Sequence, residues 1–257
     1  MFDKLGLQLY TVRNHMTTES DMEKTVERLV SMGYTEGQTA GYESEAMARI
    51  FKKYGMTAVG THYSFEKIIN EPDETMRLHE MLGTTNIGIG STPLCGRVNQ
   101  EGLEEFIRIY NKAASIYEKN GFKLTYHNHS FEFASRDGKK TMMEYLIEGF
   151  NSNISFVLDT CWAANAGVDL CRMIERLAGR IDILHLKDIK TVMVDNWASR
   201  QIMCEVGSGA ICWDKVIKTA EDTGVKHFVV EQDDFWIEDD PFKSLEASKN
   251  YLQAFMK

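Results

Sequence analysis

The stretch Leu124-Thr125-Tyr126-His127-Asn128-His129-Ser130-Phe131-Glu132-Phe133 contains the features that decide the fold. It begins as a short apolar run, which is typical of a buried strand, and it ends in side chains that bind metals or transfer protons. His127 and His129 lie two residues apart, so on an extended strand both imidazoles face the same side. The stretch therefore predicts a strand whose carboxyl end presents side chains able to bind a metal or transfer a proton.

Three later strand-like runs have the same layout, and a metal-capable side chain follows each of them: 154–158 before Asp159, 181–184 before His185, and 227–230 before Glu231. Each of these residues alone has an ordinary structural explanation. An aspartate after a strand often caps a helix, a strand histidine is often buried and hydrogen-bonded, and an acidic run is often a solvated surface. Four strands that all end in such a side chain favour one shared site.

Outward from the central stretch, strand and helix patterns alternate along the chain. Strands are predicted at 5–10, 34–38, 57–62, 84–90, the central stretch, 154–158, 181–186 and 226–231. Helices are predicted at 21–32, 44–54, 73–82, 103–120, 141–149, 170–178, 213–223 and 245–255. Asp137-Gly138 predicts a turn, and residues 187–209 read as a long polar loop.

Eight strand–helix units predict an α/β fold with a parallel sheet and helices outside it. Without a Pro/Ser-rich linker to divide them, the 257 residues fit one domain, a single (β/α)8 TIM barrel over 1–257. An open doubly wound sheet is disfavoured because no Gly-rich nucleotide loop follows the first strand. In a barrel the carboxyl ends of the strands meet at one mouth, so the four metal-capable side chains would come together there.

The bulk composition limits the partners and the compartment. A net charge of −9 argues against a nucleic-acid or anionic-membrane surface, which would need clustered Lys and Arg. The five cysteines contain no CxxC pair, and no signal peptide or membrane span is visible. We expect a soluble, reduced, cytoplasmic protein that acts on a small molecule, with a homo-oligomer left open.

The mouth of such a barrel would carry two imidazoles and two carboxylates, from His127, Asp159, His185 and Glu231. This mixed nitrogen and oxygen set predicts one divalent metal ion, with Mn²⁺ or Zn²⁺ favoured, Co²⁺ or Fe²⁺ also compatible, and Ca²⁺ disfavoured. A metal of this kind polarises a carbonyl or lowers the pKa of a hydroxyl, two groups that sugars carry on adjacent carbons. Proton transfer between those carbons needs acid/base groups, for which the candidates are Glu231, His129, Glu132 and Lys187.

Further polar and aromatic side chains would line the mouth. The candidates for holding hydroxyls and stacking on a sugar ring are Tyr10, Arg13, Gln38, His62, Trp162 and Lys187. Gly207-Ser208-Gly209 precedes a predicted helix between strands seven and eight, where barrels often bind phosphate. Two glycines are a weak signal, and a plain turn is the favoured interpretation.

Together these motifs resemble the sugar phosphate isomerase/epimerase group of the xylose isomerase-like TIM barrel superfamily, over nearly the whole chain. The motifs are Leu7-Gln8-Leu9-Tyr10-Thr11-Val12-Arg13, Tyr126 to Phe133, Leu158-Asp159-Thr160-Cys161-Trp162, His185-Leu186-Lys187-Asp188, Glu205-Val206-Gly207-Ser208-Gly209 and Val230-Glu231-Gln232-Asp233. The resemblance implies a divalent metal held at the ends of strands five to eight, with Asp159, His185 and Glu231 at the usual Asp, His and Glu positions.

Three positions depart from the pattern of this superfamily. Ketose epimerases use two metal-bound glutamates as paired acid and base, and His127 stands in the place of the fifth-strand glutamate. Gln38 stands where similar proteins often carry Glu, and Trp162 where ketose epimerases often have His. These departures keep a second chemistry open on the same metal.

The resemblance implies an isomerase or epimerase that acts on a sugar or sugar derivative through a metal-stabilised enediolate. The alternative is a metal-dependent lyase or dehydratase that acts on a keto-sugar, a keto-inositol or a 3-keto-glycoside. A DNA-repair endonuclease of the same fold is disfavoured, because it needs a three-metal site and a basic surface.

Overall fold

The computed structural model describes residues 1–136 and 138–257, the side chains of Leu94 and Cys95 excepted. Its strands are β1 (Leu5–Gln8), β2 (Tyr34–Ala40), β3 (Thr57–His62), β4 (Asn86–Ile89), β5 (Lys123–His127), β6 (Ile154–Asp159), β7 (Ile181–Leu186), β8 (Asp188–Met193), β9 (Ser199–Cys204) and β10 (His227–Val230). Strands β1 to β7 and β10 close a barrel in the order β1-β10-β7-β6-β5-β4-β3-β2, with every pairing parallel. The predicted (β/α)8 barrel is therefore confirmed.

Helices lie between the strands. They are α1 (Glu19–Ser31), α2 (Glu45–Tyr54), α3 (Phe65–Asn70), α4 (Pro72–Leu82), α5 (Leu94–Val98), α6 (Gln100–Lys119), α7 (Met142–Gly149), α8 (Thr160–Asn165), α9 (Leu170–Arg176), α10 (Trp213–Asp222) and α11 (Pro241–Leu252). Short 3-10 helices cover Leu9–His15, Phe131–Phe133, Ile237–Asp239 and Gln253–Phe255. Helices α3, α5 and α8 were not predicted, because five or six residues are too few to show helical periodicity.

Local sequence explains where the longer helices begin and end. The hydroxyl of Ser44 accepts the N–H of Met47 at the start of α2, and Gly55 ends that helix in a left-handed conformation. Thr141 and Glu144 form a reciprocal capping box at the start of α7. These caps are why the helices predicted at 44–54 and 141–149 have nearly the observed bounds.

The barrel interior has an apolar floor. Val59, Val157, Ile183 and Val229 form a cluster of buried side chains inside the ring of strands. A Cβ atom at Gly60 would lie only 2.8 Å from Ile183 Cδ1, so glycine leaves room for this cluster. Because side chains alternate along a strand, the residues two positions after Val157, Ile183 and Val229 also point inward, one step nearer the mouth.

Two predicted bounds were wrong near the mouth. The first strand ends at Gln8 rather than Tyr10, because the Gln8 amide oxygen accepts the N–H of Tyr10 and starts a 3-10 helix. The region 187–209, expected to be a loop, contains the antiparallel hairpin of β8 and β9. Burial in the hairpin is confined to its barrel-side end, at Asp188, Ile189 and Cys204, so the sequence of the hairpin shows no sustained apolar alternation.

The predicted turn at Asp137-Gly138 lies partly outside the described residues, since Asp137 is not among them. In the part of the chain that the structure covers, no helix combines the length and apolar character needed to cross a bilayer.

A buried histidine joins α4 to the barrel. His79 is fully buried, and its Nδ1 lies 2.7 Å from the carbonyl oxygen of Thr75. Since a carbonyl only accepts hydrogen bonds, Nδ1 carries the hydrogen and Nε2 accepts the hydroxyl of Thr61 at 2.8 Å on β3. Burial lowers the pKa of His79 to about 4, against the opposing effect of the Thr75 carbonyl.

This histidine makes stability depend on pH. In the unfolded chain an imidazole binds a proton near pH 6.5, whereas folded His79 binds one only near pH 4, so acidification favours the unfolded state. Between pH 7 and pH 5 the free energy of unfolding should fall by about 2 kcal/mol because of this residue. Urea unfolding of metal-free protein at both pH values should show a correspondingly smaller loss in His79→Gln, which keeps a donor and an acceptor. Equal losses in the two proteins would contradict this assignment.

Candidate metal centre

Four buried side chains meet at the mouth of the barrel. His127 ends β5, Asp159 ends β6, His185 lies in β7, and Glu231 directly follows β10. Each offers one ligand atom, and the four atoms all lie within 4.8 Å of one another. The structure therefore brings together the four residues that the sequence proposed as metal ligands.

Neighbouring groups fix the orientation of the two imidazoles. His127 Nδ1 lies 2.9 Å from the carbonyl oxygen of Gly90, so it carries the hydrogen and leaves Nε2 with a free lone pair. His185 Nε2 lies 2.5 Å from Gln38 Oε1, and donation to this oxygen leaves Nδ1 directed at Glu231 Oε2, which is 2.9 Å away. Metal-binding histidines usually donate their second N–H to such an acceptor.

Asp159 divides its two oxygens between a helix and the site. Its Oδ1 accepts the N–H of Trp162 at 2.9 Å and caps α8. Its Oδ2 lies 3.4 Å from His127 Nε2 and 3.7 Å from His185 Nδ1. The helix cap that the sequence offered as an ordinary explanation is present, and it holds the second oxygen toward the imidazoles.

The chemistry of this donor set fits a divalent cation. His127 Nε2, Asp159 Oδ2 and His185 Nδ1 are buried and make no hydrogen bond, which is costly unless another partner is bound. Burial lowers the pKa of His185, but Glu231 and Asp159 outweigh this effect and raise it to about 9. Nitrogen and oxygen donors of this kind suit Mn²⁺, Zn²⁺ or Fe²⁺. A divalent ion would satisfy all three unpaired atoms and replace the proton on His185.

A buried ammonium group lies beside these ligands. Lys187 Nζ is 2.6 Å from Asp233 Oδ2, 3.2 Å from Glu231 Oε2 and 3.4 Å from Asp159 Oδ2. Burial alone would lower the pKa of Lys187, but the carboxylates raise it well above its ordinary value. Lys187 is therefore a donor and a potential acid, since a base would need the neutral amine. Its Nζ also lies 5.0 Å from the centre of the Trp162 ring.

His129 lies at the margin of the centre. Its ring is 4.9 Å from that of His127 and 5.6 Å from that of Trp162. Burial, assisted by His127, lowers the pKa of His129 to about 3, so the imidazole is neutral near pH 7. Its Nδ1 is buried without a hydrogen-bond partner. The unpaired Nδ1 is therefore available to a ligand, although the lowered pKa makes this imidazole a weak base.

Glu132 lies behind the centre rather than in it. Its Oε1 accepts the hydroxyl of Tyr126 at 2.6 Å, and its Oε2 accepts the N–H of His129 at 2.7 Å. Burial raises its pKa, against the effect of these hydrogen bonds. Because both oxygens have internal donors, this geometry favours support of the loop after β5 over the acid/base role that the sequence suggested.

The residues proposed for substrate binding separate into two groups. Gln38 and His62 are inside the barrel, where Gln38 holds His185 and the His62 ring lies 4.7 Å from that of His127. Tyr10 and Arg13 are at the rim, with the Arg13 guanidinium 4.4 Å from the Tyr10 ring centre. Gln38 is therefore placed to orient a proposed ligand and His62 packs beside the centre, whereas Tyr10 and Arg13 lie at the rim.

Sequence reasoning missed two residues of the centre. Asn128 Oδ1 accepts the N–H of Asp159 at 2.9 Å and ties the ends of β5 and β6 together. Asp233 forms the shortest of the three contacts to Lys187. The spacing of two between Glu231 and Asp233 was a usable signal, the same one that paired His127 with His129. For Asn128 there was none, because its role depends on the neighbouring strand.

Comparison with solved structures finds the same fold. A sugar phosphate isomerase/epimerase from Parabacteroides distasonis ATCC 8503 has a TM-score of 0.80 at 24% identity, with 100% of this chain and 96% of that chain covered. A second such protein from the same organism has a TM-score of 0.78 at 18% identity, with 98% of each chain covered. A probable 3-DHS dehydratase from Bacillus anthracis has a TM-score of 0.71 at 16% identity, with 97% and 98% covered.

At these identities the similarity establishes the fold alone. No curated protein matches the chain. The family model for xylose isomerase-like TIM barrels matches residues 24–254, which is most of the chain. The chain therefore belongs to the xylose isomerase-like TIM barrel family.

Proposed function

We propose that this protein is a divalent-metal-dependent isomerase or epimerase of a sugar or sugar derivative. The observation that carries the proposal is the cluster of four buried ligand atoms within 4.8 Å at the mouth of the barrel, with acid/base groups beside it. The two similar structures described as sugar phosphate isomerase/epimerase agree with this reaction class. Mn²⁺ and Zn²⁺ remain the favoured ions.

A bound divalent ion would polarise the substrate carbonyl and lower the pKa of the adjacent hydroxyl. Glu231 is the proposed proton carrier. Burial would raise its pKa, but Lys187 and His185 lower it below its ordinary value, so the carboxylate is ionised and able to accept a proton. Removal of a proton from the carbon beside the carbonyl and its return to the neighbouring carbon, with transfer of the hydroxyl proton to the former carbonyl oxygen, completes an isomerisation through an enediolate of the substrate.

Two further residues complete the proposed proton path. Lys187 stays protonated among its carboxylates and can donate a hydrogen bond to a substrate oxygen. His129 is proposed to act on the second face of the substrate, as epimerisation requires, because its buried Nδ1 has no hydrogen-bond partner. Tyr10, Arg13 and Trp162 are assigned to hydroxyl binding and ring stacking.

The alternative is a lyase or dehydratase that uses the same enediolate. The asymmetry of the proposed ligand set supports this alternative, because Glu231 has no second glutamate opposite it. Lys187 could then donate a proton to the leaving group. A probable 3-DHS dehydratase has a similar fold, which is compatible with this alternative. For both reactions, the acidic chain favours a small carbohydrate over a nucleic acid.

Metal content tests the ligand assignment. Purified protein loaded with Mn²⁺ or Zn²⁺ should hold about one ion per chain by elemental analysis. Asp159→Asn, which keeps the helix cap, and Glu231→Gln should each hold less than about a tenth as much, because each loses an anionic ligand. Asp169→Asn, at the exposed cap of α9, is the matched control and should bind normally. Wild-type metal content in both site variants would show that the ligands are elsewhere.

Because Gln38 orients His185 without being a proposed ligand itself, its substitution should lower the metal affinity while all four proposed ligands remain. Gln38→Leu should weaken metal binding about 10–100-fold, measured by competition with a chelator, because His185 loses its acceptor. Gln8→Leu is the control, since Gln8 is equally buried at the end of β1 but contacts His62 and not a proposed ligand. Equal losses in the two variants would leave Gln38 without a specific role.

The reaction class can be read by NMR in D₂O. Metal-loaded protein should incorporate solvent deuterium next to the carbonyl of a reactive ketose or 3-keto-glycoside while conserving the atoms of the sugar. Glu231→Gln should abolish this exchange. Loss of water or of an aglycone would select the lyase, and interconversion without exchange would argue against proton transfer through Glu231.

A further inference from the structure

The loop between the hairpin and α10 occupies the position where TIM barrels often bind a substrate phosphate. In that arrangement, main-chain N–H groups of a Gly-rich loop and a following helix surround the anion. The segment 205–213 has this layout, with Gly207-Ser208-Gly209 shortly before α10. The question is what its N–H groups contact.

A carboxylate of the chain itself lies in the loop. Asp188 is fully buried, and its Oδ2 accepts the N–H of Gly207 at 2.9 Å and of Gly209 at 3.2 Å. The same oxygen accepts the indole N–H of Trp213 at 2.7 Å. Its Oδ1 accepts two more main-chain N–H groups, from Ile189 at 2.8 Å and Ile211 at 3.3 Å. Asp188 thus holds the place of an anion in a nest of donors.

The other main-chain N–H groups between 207 and 211 are also occupied. Ser208 donates to the carbonyl of Glu205 at 2.9 Å, and Ala210 donates to the carbonyl of Ile189 at 2.8 Å. Every main-chain N–H from 207 to 211 therefore has an acceptor within the chain. A Cβ atom at Gly209 would lie 2.1 Å from Asp188 Oδ1, so the loop closes tightly on this carboxylate.

The two cations predicted at the mouth also have acceptors within the chain. Lys187 contacts three carboxylates. Arg13 donates to the carbonyl oxygens of Tyr10 at 3.0 Å and Asp233 at 2.9 Å, and its guanidinium lies near the rings of Tyr10 and Trp236. A phosphate beside Lys187 would meet three carboxylates, and a phosphate beside Arg13 would have to compete with two carbonyl acceptors.

We propose that the substrate is an unphosphorylated sugar derivative, because Asp188 permanently fills the phosphate position of the barrel. This inference rests on the proposed function and narrows its substrate class. To bind in this loop, a substrate phosphate would have to displace a buried carboxylate that accepts five hydrogen bonds.

Inorganic phosphate tests the loop without any need for activity. In metal-free protein at matched ionic strength, we expect wild type to melt within about 1 °C in phosphate and in chloride. Asp188→Ser should melt lower in chloride and regain several degrees in phosphate, because the freed N–H groups bind the added anion. Glu205→Gln is the control: Glu205 is also buried, but it accepts from the side chains of Ser244 and Gln232, so phosphate should not restore it.

Phosphate stabilisation of wild type equal to that of Asp188→Ser would overturn the inference. If Asp188→Ser does not fold, ³¹P NMR of wild type with inorganic phosphate decides alone: an unbroadened line supports the inference and a bound signal overturns it. Deuterium exchange with D-fructose and D-fructose 6-phosphate then compares a matched pair on metal-loaded protein. Faster exchange of the phosphorylated sugar also overturns the inference, whereas exchange of neither counts against the proposed function and leaves the phosphate result to stand.

Discussion

The alternation of side chains along the barrel strands is the constraint on which the centre depends. Val157, Ile183 and Val229 form the apolar floor, and the residue two positions after each of them faces the mouth. A shift of one residue in the register of a strand would turn its proposed ligand toward the helices and bury a polar group among apolar ones. Packing of the floor and placement of the ligands are therefore a single requirement.

The same alternation separates the roles of the motif that follows β7. His185 and Lys187 are two residues apart, and both face the carboxylates of the centre. Asp188, one residue later, faces the opposite way and holds the loop before α10. One short stretch thus supplies a proposed ligand, a buried cation and the carboxylate that closes the loop. The effects of substitutions within it on stability should therefore rarely be additive.

Rigidity of the centre comes from groups that contact the proposed ligands. The Gly90 carbonyl and the Gln38 amide fix the imidazoles, and Asp159 is held through its helix cap and by Asn128. These partners leave the free lone pairs directed at a common point, where three atoms have no hydrogen bond. A centre built in this way is preorganised for a cation, and little rearrangement should accompany binding.

The sequence was sufficient for the parts that follow from local pattern. Strand ends with Asp159, His185 and Glu231 identified the barrel and its mouth, because period and position suffice for that prediction. The sequence could not predict that Gln38 holds His185 or that Asp188 holds the loop at Gly207, because each role depends on hydrogen bonds to residues distant in sequence. The hairpin of β8 and β9 was missed because main-chain pairing stabilises it without a buried apolar face.

We propose that the unpaired atoms of this centre hold one metal ion. Anomalous diffraction from crystals grown with Mn²⁺ or Zn²⁺ would locate that ion. We expect one strong peak about 2.0–2.3 Å from His127 Nε2, His185 Nδ1, Asp159 Oδ2 and a Glu231 oxygen. A peak outside the mouth, or ligation through His185 Nε2 with Gln38 displaced, would contradict it.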